Sequence, residues 1–233
     1  MNEVISTDKD STRSEMAVSQ IAGLVSFATS AAVLVFLAAL RILSPEFDPS
    51  WRMVSEYANG QYGWVLSLMF IAWALSSWAL AFAIWSQVGT RAGKIGLFFL
   101  ITAGVGEAMA SVFDINHSLH GLAGIIGIGS LPIAAMLISV SLGRTQPWFV
   151  TKKALLWTAN LTWISVILLA VTFAVLIVTY TQAGGEMTSE VTVLPAGVIA
   201  LVGWANRFLV VVYCVWVMTV AWRAMNISWS RSS

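Results

Sequence analysis

Polar and apolar residues separate along this chain on the scale of whole segments. Six stretches are almost continuously apolar: Val18 to Leu43, Trp64 to Ser86, Ile95 to Phe113, Leu119 to Leu142, Ala154 to Thr181 and Ala196 to Trp222. Each is close to or beyond the roughly 20 residues that a helix needs to cross a bilayer. None alternates as a barrel strand does. The pattern predicts an all-α polytopic membrane protein, with six transmembrane helices in one bundle. It divides the chain into a polar tail at 1–17, a membrane domain at 18–225 and a short tail at 226–233. The fifth stretch exceeds one crossing, so it should tilt or project beyond the membrane.

The polar connections set the expected orientation. Lys9 and Arg13 precede the first helix; Arg91 and Lys94 follow the second. Arg144, Lys152 and Lys153 follow the fourth, and Arg223 and Arg231 end the chain. The other side has only Arg41 and Arg52. Cytoplasmic loops carry the excess of Lys and Arg, so both termini are expected in the cytoplasm of a cell (plasma or inner) membrane. Trp85, Trp148, Trp157, Trp222 and Trp229 then fall near the inner interface, and Trp51 and Trp64 near the outer one, as an aromatic belt would.

Composition agrees with this class and narrows the partners. Of 233 residues, 58% are hydrophobic and 10% charged, against roughly 25% charged in soluble domains. The net charge of +1 and the lack of a basic, aromatic-laced surface argue against nucleic acid. Membrane lipids are the expected partners, with homo- or hetero-oligomers left open. The lone Cys214 excludes an intrachain disulfide and a cysteine-based metal site. No cofactor is expected. The polar start mixes both charge signs and is followed by a run longer than a signal peptide's, so the first helix should be retained.

Against this background the buried polar residues stand out. Glu56, Glu107, Asp114, His117, His120, Asn206 and Arg207 all map to the side opposite the basic loops, and ionisable groups in or beside hydrocarbon mark candidate sites. Glu107 lies about two turns from the outer end of the third helix, and Arg207 near the middle of the sixth. An unpaired charge is expensive there, so the two are expected to pair. Asn206 adds a polar group at Arg207's depth, and Glu107 and Asp114 would share a face of the third helix if it extends that far.

The loop Asp114-Ile115-Asn116-His117-Ser118-Leu119-His120 holds the chain's two histidines. Spacings of three would put Asp114, His117 and His120 on one face of a helical turn. Three chemistries are open to it: a cap on the fourth helix from Asp114 with interfacial histidine hydrogen bonds, a metal site with Glu56 as a fourth ligand, or a proton-active or ligand-binding histidine. A Ser118–His120–Asp114 triad is disfavoured, because triads assemble from distant segments around an oxyanion hole.

Two further features complete the candidates. The loop from Ser44 to Gly63 places Trp51, Val54, Tyr57 and Ala58 at helical spacing between Pro49 and Gly60, either as a short interfacial helix or as a connector. Gly121, Gly124, Gly127, Gly129 and Ser130 precede Pro132 in the fourth helix, and the third has Gly96, Gly104 and Gly106. Small residues let membrane helices approach closely, or leave a groove where a lipid chain lies on bare backbone.

Several of these residues together resemble a bacterial and archaeal membrane family, domain-of-unknown-function family nine-nine-eight. They are Ser55-Glu56-Tyr57, the glycine-bearing third helix ending in Phe113-Asp114, then His120-Gly121, and Asn206-Arg207. The likeness covers about residues 18 to 225. It implies six helices and no particular activity. The chain departs from the family's pattern in lacking a proline between Phe113 and Asp114. It also resembles ceramidase-like and adiponectin-receptor-like membrane hydrolases in its intramembrane polar residues. Those hold zinc with three histidines, and this chain has two.

The expected function is binding of a lipid headgroup or small amphiphile toward the outer leaflet, in a binding or transport-accessory role. Glu56, Tyr57, Glu107, Asp114, His117, His120, Asn206 and Arg207 are the expected ligand-binding residues, without a metal. The alternatives are a metal-assisted lipid hydrolase using Asp114, His117, His120 and Glu56, and a structural membrane subunit.

Overall fold

The computed structural model describes residues 2–185, 191 and 193–232, with side chains over 17–185, 191 and 193–227. Trp229, Lys9, Arg13 and Arg231 therefore lie outside the described side chains. Six α-helices follow one another: α1 (Asn2–Leu43), α2 (Gly63–Ile84), α3 (Arg91–Val112), α4 (His120–Leu142), α5 (Lys152–Gln182) and α6 (Val202–Ser232). Short 3₁₀ helices at Val54–Asn59 and Gln146–Thr151 interrupt the loops before α2 and α5. Six segments are long and apolar enough to cross a membrane: Ala17–Leu43, Gly63–Ile84, Arg91–Val112, His120–Leu142, Gln146–Gln182 and Val202–Ile227. The chain is a multi-pass membrane protein of all-α class.

Local chemistry sets the ends. α1 stops where Ser44 meets Pro45, which has no N–H to continue the ladder. Thr90 caps α3, its hydroxyl accepting from Gly93 N at 3.0 Å. The largest departure from expectation is the start of α6. Residues 196–201 are apolar but not helical, because Pro195 and Gly197 make a turn there. Gly197 takes φ +89°, the left-handed conformation open to glycine, and Val198 N donates to Pro195 O. Arg207 thus sits in the second turn of α6 and not midway along it.

Each helix packs against its neighbours in sequence, and α1 closes the ring against α6, with α2 reaching α6 across the middle. Alternating passes put both termini at one end of the bundle; the loops before α2, α4 and α6 share the other, called here the far end. Outward faces remain apolar, as in Val35, Ile42, Phe98 and Ile125, which suits a lipid surround. Trp64, Trp85, Trp157 and Trp222 are exposed, but Trp148 is 1% exposed. Its indole N–H donates to Gln87 Oε1 at 3.1 Å, so it fills the interior and is not a belt residue.

α3 and α4 touch backbone to backbone. A Cβ on Gly106 would collide with the backbone nitrogen of Gly127, so glycine is required there. α4 and α6 instead stand apart and are bridged by side chains. Pro132 leaves the carbonyl of Ile128 without its helical donor; the Tyr213 hydroxyl, donating at 2.8 Å, takes that place. Trp216 Nε1 donates to Ser139 Oγ at 3.1 Å nearer the termini.

Candidate functional site

The far end divides into a tied-down loop and an open cavity. The loop holds Arg207. Its Nη1 donates to the carbonyls of Arg52 (2.7 Å), Gly203 (3.0 Å) and Pro49 (3.4 Å), and its Nη2 to the Tyr57 hydroxyl (2.9 Å). The guanidinium carbon lies 5.4 Å from the centre of the Tyr57 ring. Only Nε lacks a partner. Asn206 Oδ1 accepts from Val54 N at 2.8 Å, starting the 3₁₀ helix, and Gly203 N donates to Ser50 O. A Cβ on Gly203 would collide with the Pro49 carbonyl. Glu56 accepts from Met53 N at 2.7 Å and pairs with Arg52 Nη1 at 2.5 Å, whose Nη2 reaches Val191 O. Val54 and Tyr57 are buried. The segment is therefore a plug seated on α6, not a helix lying in the interface.

The expected pairing of Glu107 with Arg207 does not form. Arg207's donors go to oxygens of the loop before α2 and of the first turn of α6. Glu107 Oε2 accepts from Ser77 Oγ on α2 at 2.8 Å, and its Oε1, buried, has no partner. The single ion pair among the described residues is Arg52–Glu56.

The third loop is a run of turns, so Asp114, His117 and His120 do not share a helical face. Asp114 is exposed and accepts from Asn116 N at 2.9 Å. It does not cap α4, whose N-cap position holds Leu119. α3 ends at Val112, so Asp114 is not on its face with Glu107 either. His117 is exposed, its Nδ1 accepting from Leu119 N. His120 Nδ1 bonds Phe113 O at 2.8 Å. Among the described residues no three His, Cys, Asp or Glu side chains gather as a metal-ligand set.

Between the plug and these turns opens a cavity of about 270 Å³. Phe70 and Trp73 line it from α2, Gly106, Glu107 and Ala110 from α3, and Gly121, Gly124 and Gly127 from α4. Asn206, Leu209 and Tyr213 line it from α6, with Met53, Val54 and Ser55 from the plug and His120 at the loop. It reaches from the far end to the Tyr213–Ile128 bridge. A side chain added at Gly121 or Gly124 would meet nothing within 4 Å, so these glycines face open space where Gly106 makes contact. Two lining residues keep a buried polar atom without a partner: Glu107 Oε1 and the indole N–H of Trp73. Unsatisfied buried polar groups are uncommon and call for an explanation.

Of the eight residues expected at the site, Glu107, His120 and Asn206 line the cavity. Glu56, Tyr57 and Arg207 hold the plug, and Asp114 and His117 lie on the exposed turns. Sequence reasoning missed Phe70, Trp73, Ser77 and Tyr213. Tyr213 had a signal, its place on α6 opposite a carbonyl freed by Pro132; the others look like ordinary helix-face residues.

A family model matches residues 24–223. The chain belongs to the DUF998 family, described as proteins of unknown function. The resemblance carried by Ser55-Glu56-Tyr57, His120-Gly121 and Asn206-Arg207 is thereby established. The DUF998 match takes in both plug and cavity. No curated protein and no solved structure matches the chain.

Proposed function

We propose that this membrane protein binds a lipid headgroup or small amphiphile in the far-end cavity, in a binding or transport-accessory role. The observation that supports this reading is the pairing of apolar walls with Glu107 Oε1 and Trp73 Nε1, both buried and unpartnered on residues that line the same cavity. Concave, mostly apolar sites with few convergent polar groups are the usual form of a small-molecule site. The open glycines of α4 leave room for an apolar chain beside that polar pair. The excess of Lys and Arg at the termini end supports a cytoplasmic placement of that end, which puts the cavity toward the outer leaflet of the cell membrane. Arg207 serves the site indirectly by holding the plug.

Lipid extraction followed by mass spectrometry tests the reading on protein purified in mild detergent. A discrete amphiphile should accompany the wild type and be depleted in Gly124→Leu, where the new side chain fills the cavity. The same lipid complement in both would leave the cavity as packing space in a structural subunit. For orientation, a reporter that fluoresces only in the cytoplasm should be bright after Arg144 and dark after Gly184. The reverse would move the cavity to the cytoplasmic leaflet.

A further inference from the structure

The cavity's walls also select the charge of what enters. No Lys or Arg side chain lines it, and Arg207 is engaged by four loop and helix oxygens. An anionic head would therefore meet no Lys or Arg partner there. Tyr213's hydroxyl donates to Ile128 O and Asn206 Oδ1 accepts from Val54 N. Among the buried side-chain polar atoms of the lining residues, two have no hydrogen-bond partner: an acceptor, Glu107 Oε1, and a donor, Trp73 Nε1. Three aromatic rings accompany them: Phe70 is stacked on Trp73 with centroids 6.3 Å apart, and Trp73 meets Tyr213 edge-on at 6.1 Å. Aromatic rings attract cations through their quadrupoles, Trp most strongly, and more so when water is excluded. A buried acceptor oxygen without a donor is costly, and an ammonium N–H supplies the missing donor.

We infer that the cavity takes an amphiphile whose head is an organic ammonium with a neighbouring oxygen. The ammonium N–H donates to Glu107 Oε1 among the rings of Phe70, Trp73 and Tyr213, and the oxygen accepts from Trp73 Nε1. The apolar tail runs past Gly121 and Gly124. This inference rests on the amphiphile-binding reading and adds the headgroup class to it.

The test uses three probes of equal chain length, N-decylethanolamine, decanol and sodium decanoate. Each is titrated at pH 7 into the full chain in zwitterionic nanodiscs, with empty nanodiscs subtracted. N-decylethanolamine should bind at least about tenfold more tightly than the other two. Glu107→Gln should remove most of that preference and leave decanol binding in place; Trp73→Phe should weaken the ammonium probe less. The wild-type ranking decides the matter even if a variant folds poorly. Decanol or decanoate binding as tightly as the ammonium probe overturns the headgroup assignment and leaves the amphiphile reading standing. No binding by any probe, or binding that Gly124→Leu does not reduce, overturns both.

Discussion

Arg207 and Glu107 are both buried ionisable residues of one membrane bundle, and they are treated in opposite ways. Arg207 is surrounded by oxygens: three carbonyls and a phenol converge on its two terminal nitrogens. Two of those carbonyls, of Pro49 and Arg52, come from the loop's irregular path, and the third, of Gly203, from the first turn of α6. The guanidinium's planar fork suits it to gather them. Glu107 has one hydroxyl donor and one oxygen with nothing. Burial alone does not distinguish the two, since Arg207 is 7% and Glu107 5% exposed. The hydrogen-bond inventory does. A saturated buried group holds structure together, whereas an unsaturated one on a cavity-lining residue still lacks a partner.

The comparison is most easily broken at Arg207. Arg207→Leu strands several buried oxygens, and losses around a charged donor run to about 1.5–3 kcal/mol per bond. The variant should lose most of its folded yield in mild detergent, read by fluorescence-detected size exclusion after heating. Arg207→Lys should recover only part of it, because an ammonium cannot span the same fork of acceptors. Glu107→Gln keeps the Ser77 contact and should cost under about 1 kcal/mol. Equal losses at the two positions would end the distinction.

The α3–α4 contact sharpens it next. Gly106→Leu drives a side chain into the backbone of α4, and overpacking of this kind costs about 1–3 kcal/mol. Gly124→Leu, facing open space, should melt close to the wild type while excluding ligand. If Gly124→Leu is the more destabilised of the two, the space beside it is needed for packing.

A double-mutant cycle on Arg207→Lys and Glu107→Gln should be additive within about 0.5 kcal/mol, as for sites without shared partners. A coupling well above that would restore the ion pair that the sequence leads one to expect. The smallest effect is at Asp48 in the plug segment. Hydrogen bonds from Ser50, chiefly its backbone N–H, hold the exposed Asp48 carboxyl below the usual carboxylate range. A depressed folded value stabilises above the unfolded pKa and is lost as pH falls through the folded one. Melting between pH 7 and 3 should therefore show a slightly steeper acid loss in the wild type than in Asp48→Asn.

Apart from the continuation of α1 through the polar tail to Asn2, long apolar runs determined the class and five of the six helices to within a few residues, because crossing hydrocarbon demands length and apolarity, and both can be counted on one strand of sequence. The glycines of the third and fourth helices were legible as a close approach or a groove, and the fold uses them for both. The sixth helix misled, because Ala196 to Leu201 is apolar enough to be membrane helix while Pro195 and Gly197 turn the chain first. That shift moved Arg207 from mid-membrane to the far end, within reach of the oxygens of the loop before α2. Partner choice was the tertiary structure's decision throughout. A charge's partner is whichever unsatisfied group the packing brings within about 3 Å, and in Arg207's case most were backbone carbonyls, which no side-chain pattern records. The cavity likewise exists because α4 and α6 stand apart on the Tyr213–Ile128 bridge, a spacing set by residues 85 positions apart in the chain.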